Sequence, residues 1–304
     1  METTAPNLKG NLFFELPVPA NYNGKFLSEV ELLKNNGIAE EVLTKKVQGK
    51  SFSWIANIIA ITFARLGDVL IAADVRNNYA KTETVVVPSV VTRIPLASAN
   101  SAIIEIHRRV WKNVLEDQEV ICKYCTTSLR TDVNLSEIKM PAKYVEVMKN
   151  FETSPMEFIV ISLDDADAFS LDAFLSTKKD DVDFSDLMGV KFNQLVFRIP
   201  LLADAIKHEK IALDSIKFWR NIACECLVSI KAVGDVTHEF PMEKFVWLGM
   251  ALFDKYLDSD VLQKVRTALR EEPPTLPFTY EGICGCPMQR EIPYAIEAKS
   301  FFSE

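Results

Sequence analysis

Trp54-Ile55-Ala56-Asn57-Ile58-Ile59, followed by Leu66-Gly67-Asp68-Val69, decides how this chain is read, because a similar pair recurs downstream. The second copy is Trp219-Arg220-Asn221-Ile222-Ala223-Cys224 followed by Val233-Gly234-Asp235-Val236. After each copy comes an Ile-Cys, in Ile121-Cys122-Lys123-Tyr124-Cys125 and in Ile283-Cys284-Gly285-Cys286. The offsets of 165, 167 and 162 residues agree closely. Upstream, Phe13-Phe14-Glu15-Leu16-Pro17 matches Val196-Phe197-Arg198-Ile199-Pro200 at an offset of 183, which implies a shorter connection in the second copy. A period this long is not that of a solenoid. It predicts an α+β chain of two pseudo-repeated halves. Each half has a short strand, apolar helices and a terminal cysteine-bearing β-hairpin of zinc-ribbon type. The expected division is residues 1–145 for the first half, 146–190 for an acidic connector with a short strand, and 191–304 for the second half.

Composition limits the function classes. With 48% hydrophobic and 25% charged residues among 304, the chain has the make-up of a soluble globular protein. No apolar run reaches the roughly 18 residues that a bilayer span needs, so no membrane insertion is expected. Met1-Glu2-Thr3-Thr4-Ala5-Pro6 has neither the basic nor the apolar region of a secretion signal, and the cytoplasm is the expected location. A net charge of −8 argues against nucleic acid as a general partner. Six cysteines fall in three close pairs, Cys122/Cys125, Cys224/Cys226 and Cys284/Cys286. In a reducing compartment such pairs are thiols or metal ligands rather than disulfides.

Local patterns place these residues. A first strand is expected over 10–19, a helix over 29–46 and an apolar helix over 53–66 with Gly67 as its C-cap. The β-branched, proline-punctuated run 83–96 reads as an exposed arm or edge strand. A helix over 100–116, capped by Ser98 or Asn100, leads into a strand, the Cys122–Cys125 turn and an alternating return strand over 129–135. Beyond the Asp-rich connector, a strand over 194–200 precedes helices over 201–208, 212–231, 241–255 and 259–270. A hairpin over 279–302 closes the chain.

The cysteine pairs carry the most chemistry. Zinc takes four soft ligands in a tetrahedron, and Cys122, Cys125, Cys284 and Cys286 could close one structural zinc site between the halves. A clip across so long a loop would add most to stability. Against it, Thr126 stands where a knuckle usually has glycine, and the second pair is a tight Cys-x-Cys. The alternative is a pair of degenerate knuckles whose fold does not need metal. Cys224 and Cys226, inside an apolar helix, read as inert buried thiols. His107, His208 and His238 lack a nucleophile-like context, and His107 reads as a core or interface histidine. Asp164, Asp165, Asp167, Asp172, Asp180, Asp181, Asp183 and Asp186 lack the spacing of a calcium loop and read as a solvated acidic segment. No nucleotide-binding, metalloprotease or serine-hydrolase motif occurs.

One resemblance extends over most of the chain. Ile104-Glu105-Ile106-His107-Arg108-Arg109-Val110-Trp111 carries an Arg-Arg pair and leads into a Cys-x-x-Cys hairpin. That hairpin ends in Asp132-Val133-Asn134-Leu135-Ser136-Glu137-Ile138, and Phe197-Arg198-Ile199-Pro200 with Asp204 follows in mid-chain. A second cysteine hairpin closes on Phe301-Phe302, and Glu29-Val30-Glu31-Leu32 suits the opening. The arrangement resembles the baseplate hub assembly chaperones of contractile-tailed phages and contractile injection systems. The resemblance implies a viral, non-enzymatic protein that binds other tail and baseplate structural proteins in the host cytoplasm, with self-association left open. It implies no catalytic residues. Two alternatives are a structural component retained in the virion baseplate and, from another class, a zinc- or thiol-dependent enzyme. The contact surfaces expected for the assembly reading are 83–96, the proline-rich segment 273–278 and Phe301-Phe302. Each could equally pack within the chain.

Overall fold

The structure is a computed structural model. It describes residues 12–34, 37–44, 51–111, 114–122, 125–135, 158–176, 185–211, 215–234, 236–242, 246–255, 257–271, 278–283 and 291–296. The chain is mixed helix and sheet, as the α+β expectation requires. It divides into two compact units: Met1–Pro155 with Leu201–Ile206 and Pro274–Glu304, and Met156–Pro200 with Lys207–Pro273. The C-terminal hairpin, expected with the second half, thus groups with the first unit. The short strand expected in the connector belongs to the second unit.

The first unit opens with β1 (Phe13–Tyr22) and β2 (Lys25–Leu32), joined by Asn23 and Gly24 at φ 52° and 76°. An Asn-Gly pair with both residues at positive φ is the turn that matches strand twist. It closes the ladder at Tyr22↔Lys25. Residues 29–32, expected to be helical, are therefore strand, with Val30 and Leu32 alternating into the core. Helix α1 (Gly37–Thr44) starts only at Gly37. Helix α2 (Ser51–Thr62) is apolar over most of its surface, with Trp54, Ile55, Ile58, Ile59 and Ile61 buried and Ser53 and Asn57 half-buried. Such a helix belongs at the centre of a core. It ends four residues earlier than expected and runs without a linker into β3 (Phe63–Leu66). Gly67 is no helix cap: at φ 55° it turns β3 into β4 (Val69–Leu70), and a Cβ there would lie 2.8 Å from Leu27 Cδ2.

Helices α3 (Ala72–Thr82), α4 (Ser89–Thr92) and α5 (Leu96–Val110) follow. The run 83–96 divides: residues 84–88 are neither helix nor strand and Val86 is exposed, but the second half is not an arm. Val90, Val91 and Ile94 are buried, because Pro88 starts the short α4 and turns the β-branched side chains inward. Helix α5 starts at Leu96, ahead of the expected cap, so Ser98 lies inside it. The Ser98 hydroxyl accepts from Val18 N (2.9 Å) and donates to Val18 O (2.8 Å). One side chain thereby satisfies both backbone groups of a residue in an irregular stretch of edge strand β1, which would otherwise be buried without partners. The hairpin β5 (Val114–Ile121) and β6 (Ser128–Asn134) lies where alternation placed it.

The second unit contains β7 (Phe158–Ser162), β8 (Phe169–Ser170), α6 (Asp172–Leu175), β9 (Lys191–Phe192) and β10 (Gln194–Arg198). Helix α7 is Leu202–His208. Helix α8 (Ile216–Cys226) again passes directly into a strand, β11 (Leu227–Ala232), where one helix over 212–231 was expected. Then come β12 (His238–Pro241), α9 (Val246–Lys255) and α10 (Ser259–Glu271). The chain closes on β13 (Phe278–Ile283) and β14 (Glu291–Ile296).

The two main sheets have the same strand order. One is β1-β2-β3-β4 and the other β7-β10-β11-β12, and both are antiparallel throughout. In each, a helix feeds the third strand. However, Phe13–Pro17 lies in the first strand of its sheet, whereas Val196–Arg198 lies in the second, so these two similar stretches do not occupy equivalent places. The tetrapeptide Arg-Ile-Pro-Leu occurs at 93–96 and 198–201. Pro95 and Leu201 form an antiparallel bridge, and Leu202 N donates to Ile94 O at 2.9 Å.

A helix that passes straight into a strand leaves its last carbonyls without helical donors. An arginine satisfies each one. Arg76 Nε donates to Ile61 O at 2.8 Å, and Arg198 Nη2 donates to Glu225 O at 3.0 Å. Positive charge there also opposes the negative end of the helix dipole. Arg76→Met keeps the aliphatic stem and removes the donor. It should cost about 1–2 kcal/mol, measured as a lower denaturation midpoint at unchanged denaturant slope.

Candidate functional site

The predicted ligands divide. Cys122 is buried and Cys125 half-buried, on the turn between β5 and β6. Cys122 N donates to Thr127 O (3.0 Å), Thr126 N donates to Cys122 O (2.8 Å), and the Cys125 thiol donates to Thr127 Oγ1 (3.3 Å). Thr126 sits at φ 55°, the left-handed position that a knuckle gives to glycine. Thr126 thus holds a β-branched side chain at a backbone angle that it disfavours. Cys284 and Cys286 lie outside the described residues. Among the described residues, no group of three or more His, Cys, Asp or Glu side chains is placed to hold a metal ion.

Cys226 is buried and Cys224 half-buried on α8. Burial pushes the Cys224 thiol up to about 12, the Arg220 charge lowering it only in part. A thiol so protonated near neutrality is a poor nucleophile. His208 is mostly buried, with Nδ1 3.5 Å from Asn221 Nδ2 and Nε2 3.6 Å from Glu225 Oε1. His107 packs its ring against Trp111, centroids 5.1 Å apart. His238 begins β12, paired with Ala232.

The Arg-Arg pair of the resemblance serves the interior. Glu105, buried on α5, accepts from Arg108 Nη2 at 2.8 and 3.0 Å and from Arg109 Nε at 2.5 Å. Burial, more than any other influence, lowers Arg108 from its usual range. The Arg109 guanidinium lies 5.8 Å from the centre of the Phe14 ring on β1. In the acidic connector, Asp167 and Asp164 pair with Lys264 at 2.7 and 3.7 Å, and Asp172 Oδ1 accepts from Gly189 N at 2.7 Å. Asp180, Asp181 and Asp183 lie outside the described residues, as do 273–277 and Phe301-Phe302.

Two open concavities remain. A cleft of about 320 Å³ lies over the first sheet, lined by Phe13, Phe14, Glu15, Glu29, Glu31 and Arg65. Glu15 faces Glu29 directly across the ladder, an unfavourable like-charge pair. Arg65 Nε binds Glu31 at 2.6 Å. The second is a groove of about 110 Å³ in the second unit. Ile216, Trp219, Arg220 and Ala223 form the α8 wall; Ser259, Leu262, Gln263 and Arg266 form the α10 wall. Phe253 and the buried Val265 complete it. Ile216 is 70% exposed. Arg220 Nη1 donates to Asp254 at 2.7 Å, while its buried Nε has no hydrogen-bond partner.

The chain matches no protein-family model, no curated protein and no solved structure. Among the described residues, no helix is long and apolar enough to cross a membrane.

The groove was missed because Trp219 and Ile222 were read as one apolar stretch. The usable signal is the exposed Ile216 with the half-buried Trp219 and Arg220 at i+3 and i+4, apart from the buried face of Phe218, Ile222, Ala223 and Cys226. The state of Cys224 has a direct check. In the folded protein at pH 8 it should react with an aromatic disulfide reagent at least about tenfold more slowly than in denaturant, since the thiolate is the reactive form. Equal rates would show an accessible, ionised thiol.

Proposed function

We propose that the protein is a non-enzymatic assembly protein of a contractile phage tail or related injection system, a chaperone that holds baseplate hub components. The observation that carries this reading is the groove of the second unit, where Ile216 is exposed and Trp219 and Leu262 are half-buried. Leaving such a side chain solvated forgoes about 1.5–3 kcal/mol of burial, which a partner seated in the groove would recover. The hub-chaperone resemblance of the sequence supports the same reading. The like strand order of the two main sheets supports a chain built from two pseudo-equivalent halves, each closed by a hairpin.

On this reading the second half of the run 83–96 contributes to the interior through Val90, Val91 and Ile94, and the first half, with Val86 exposed, remains a contact surface. The charged cluster of Glu105, Arg108 and Arg109 fixes α5 and has no catalytic part.

Mass spectrometry of purified particles tests the assignment. A chaperone should be absent from mature particles, and its deletion should leave tails without a complete baseplate. Stoichiometric recovery in particles would make it a retained structural component. Normal assembly without it would sink both readings.

A structural zinc on Cys122, Cys125, Cys284 and Cys286 belongs to the same proposal, its chemistry being to tie the two hairpin turns together through thiolates. Elemental analysis of freshly purified protein should find about one zinc per chain, lost in Cys122→Ser. No zinc, together with an unchanged melting temperature in that variant, would show hairpins that stand without metal.

A further inference from the structure

We propose that the groove between α8 and α10 is the docking site for an acidic amphipathic helix of a partner protein. The inference rests on the assembly reading and names the chemistry of what that groove holds. Three observations choose the occupant.

The first is shape. Both walls present residues at i, i+3, i+4 and i+7, so the trough runs along the two helices for about two turns, roughly 10 Å at 1.5 Å per residue. Helix-in-groove recognition uses this geometry, with apolar anchors at the same spacing on the incoming helix. A Leu or Phe side chain would lie between Ile216 and Trp219 on one wall and Leu262 on the other.

The second is charge. Among the described residues, the groove lining holds two arginines, Arg220 and Arg266, and no carboxylate. Arg220 already pairs with Asp254 at 2.7 Å, and Arg266 brings a second guanidinium to the other wall. A carboxylate satisfies such a donor better than any neutral group, and planar guanidinium groups bind carboxylates in pairs of parallel hydrogen bonds. The protein as a whole carries −8, so the cationic groove is a local departure rather than part of a basic surface. That favours an acidic peptide over nucleic acid, which needs extended phosphate neutralisation.

The third comes from the fold itself. Helices α2 and α8 each feed the third strand of a four-stranded sheet of the same order. Helix α2 is packed by α1, α3, α4 and α5, whereas the principal helical neighbours of α8 are α9 and α10. Among the described residues, the first of these helices has four helical neighbours and the second two, with Ile216 on its exposed side. A helix is what the chain itself places on that type of surface.

A display library tests this on the full-length protein. Its members are short helical peptides with Leu or Phe fixed at i, i+3, i+4 and i+7, and with Glu, Gln or Lys varied beside them. Wild type should enrich Glu flanking the apolar face. Arg266→Glu should shift the selection to Lys. Ile216→Asp should weaken the best Glu peptide by at least about tenfold, as expected for a central anchor, with an unchanged circular dichroism spectrum. The proposal is overturned if no peptide is enriched, if wild type enriches Gln or Lys, or if Arg266→Glu leaves the selection unaltered. It is also overturned if the free protein forms a dimer that Ile216→Asp dissolves, which would give the groove to a second copy. Capture of baseplate proteins by wild type separates the two readings. Retained capture beside a failed selection removes the groove assignment alone, whereas lost capture removes the assembly role.

Discussion

The passage from helix to strand with no residue between them is the constraint on which the rest of this structure depends. At Thr62–Phe63 and again at Cys226–Leu227 the chain changes from helical to extended within one peptide. With no linker to adjust, the direction of the helix fixes the direction of the strand, and the strand fixes the register of its neighbours. Leu33 N donates to Thr62 O at 2.8 Å, so the last helical residue is already bonded to the residue just after β2. The half-buried guanidinium groups of Arg76 and Arg198 each supply a donor to one freed helical carbonyl, Ile61 O and Glu225 O. Their positions are set by the geometry of the junction, not by any ligand.

This arrangement explains how polar side chains come to lie in the interior. Ser98 serves both backbone groups of Val18, and Glu105 holds two arginines on the helix that packs against β1. Buried polar groups are costly unless every partner is present. Here Ser98 joins an irregular stretch of β1 to α5, and Glu105 holds the Arg109 guanidinium near the Phe14 ring of the same strand. They specify which strand edge meets which helix, something apolar packing alone would leave degenerate.

Much of this was legible in the sequence, and the misreadings have a common cause. The hairpin of β5 and β6 was readable because its alternation is clean and its turn carries the cysteines. The recurrence of Trp-helix-Gly-Asp pointed to two like segments, and both prove to be a helix feeding the third strand of a sheet. The boundaries failed where a helix and a strand share one apolar run. From Trp54 to Leu66, and from Phe218 to Ala232, no proline or glycine marks the boundary and apolar residues continue through it, so periodicity could not show where period 3.6 gives way to period 2. Residues 29–32 were misread for another reason: Asn23-Gly24, the stronger signal, was not used. Run 83–96 looked like an arm because its prolines were read as strand breakers, whereas Pro88 begins a buried helical turn. The groove was illegible, since its two walls are distant in sequence.

The charge distribution bears on how such a protein avoids itself. A chain with net charge −8 repels its own copies at long range, and the exposed face of the first sheet adds Glu15, Glu29 and Glu31 to that field. The groove of the second unit, rimmed by Arg220 and Arg266, runs against the trend. A groove on one copy and an acidic cleft on another would make a head-to-tail contact, which closes only as a ring and otherwise propagates. What opposes this is form as much as charge. The cleft lies over an open sheet face, while the groove walls are spaced to receive a helix. The like charges that keep copies apart and the local cationic groove are thus compatible: the first governs encounters between identical chains, the second only a segment with both a helical apolar face and carboxylates beside it.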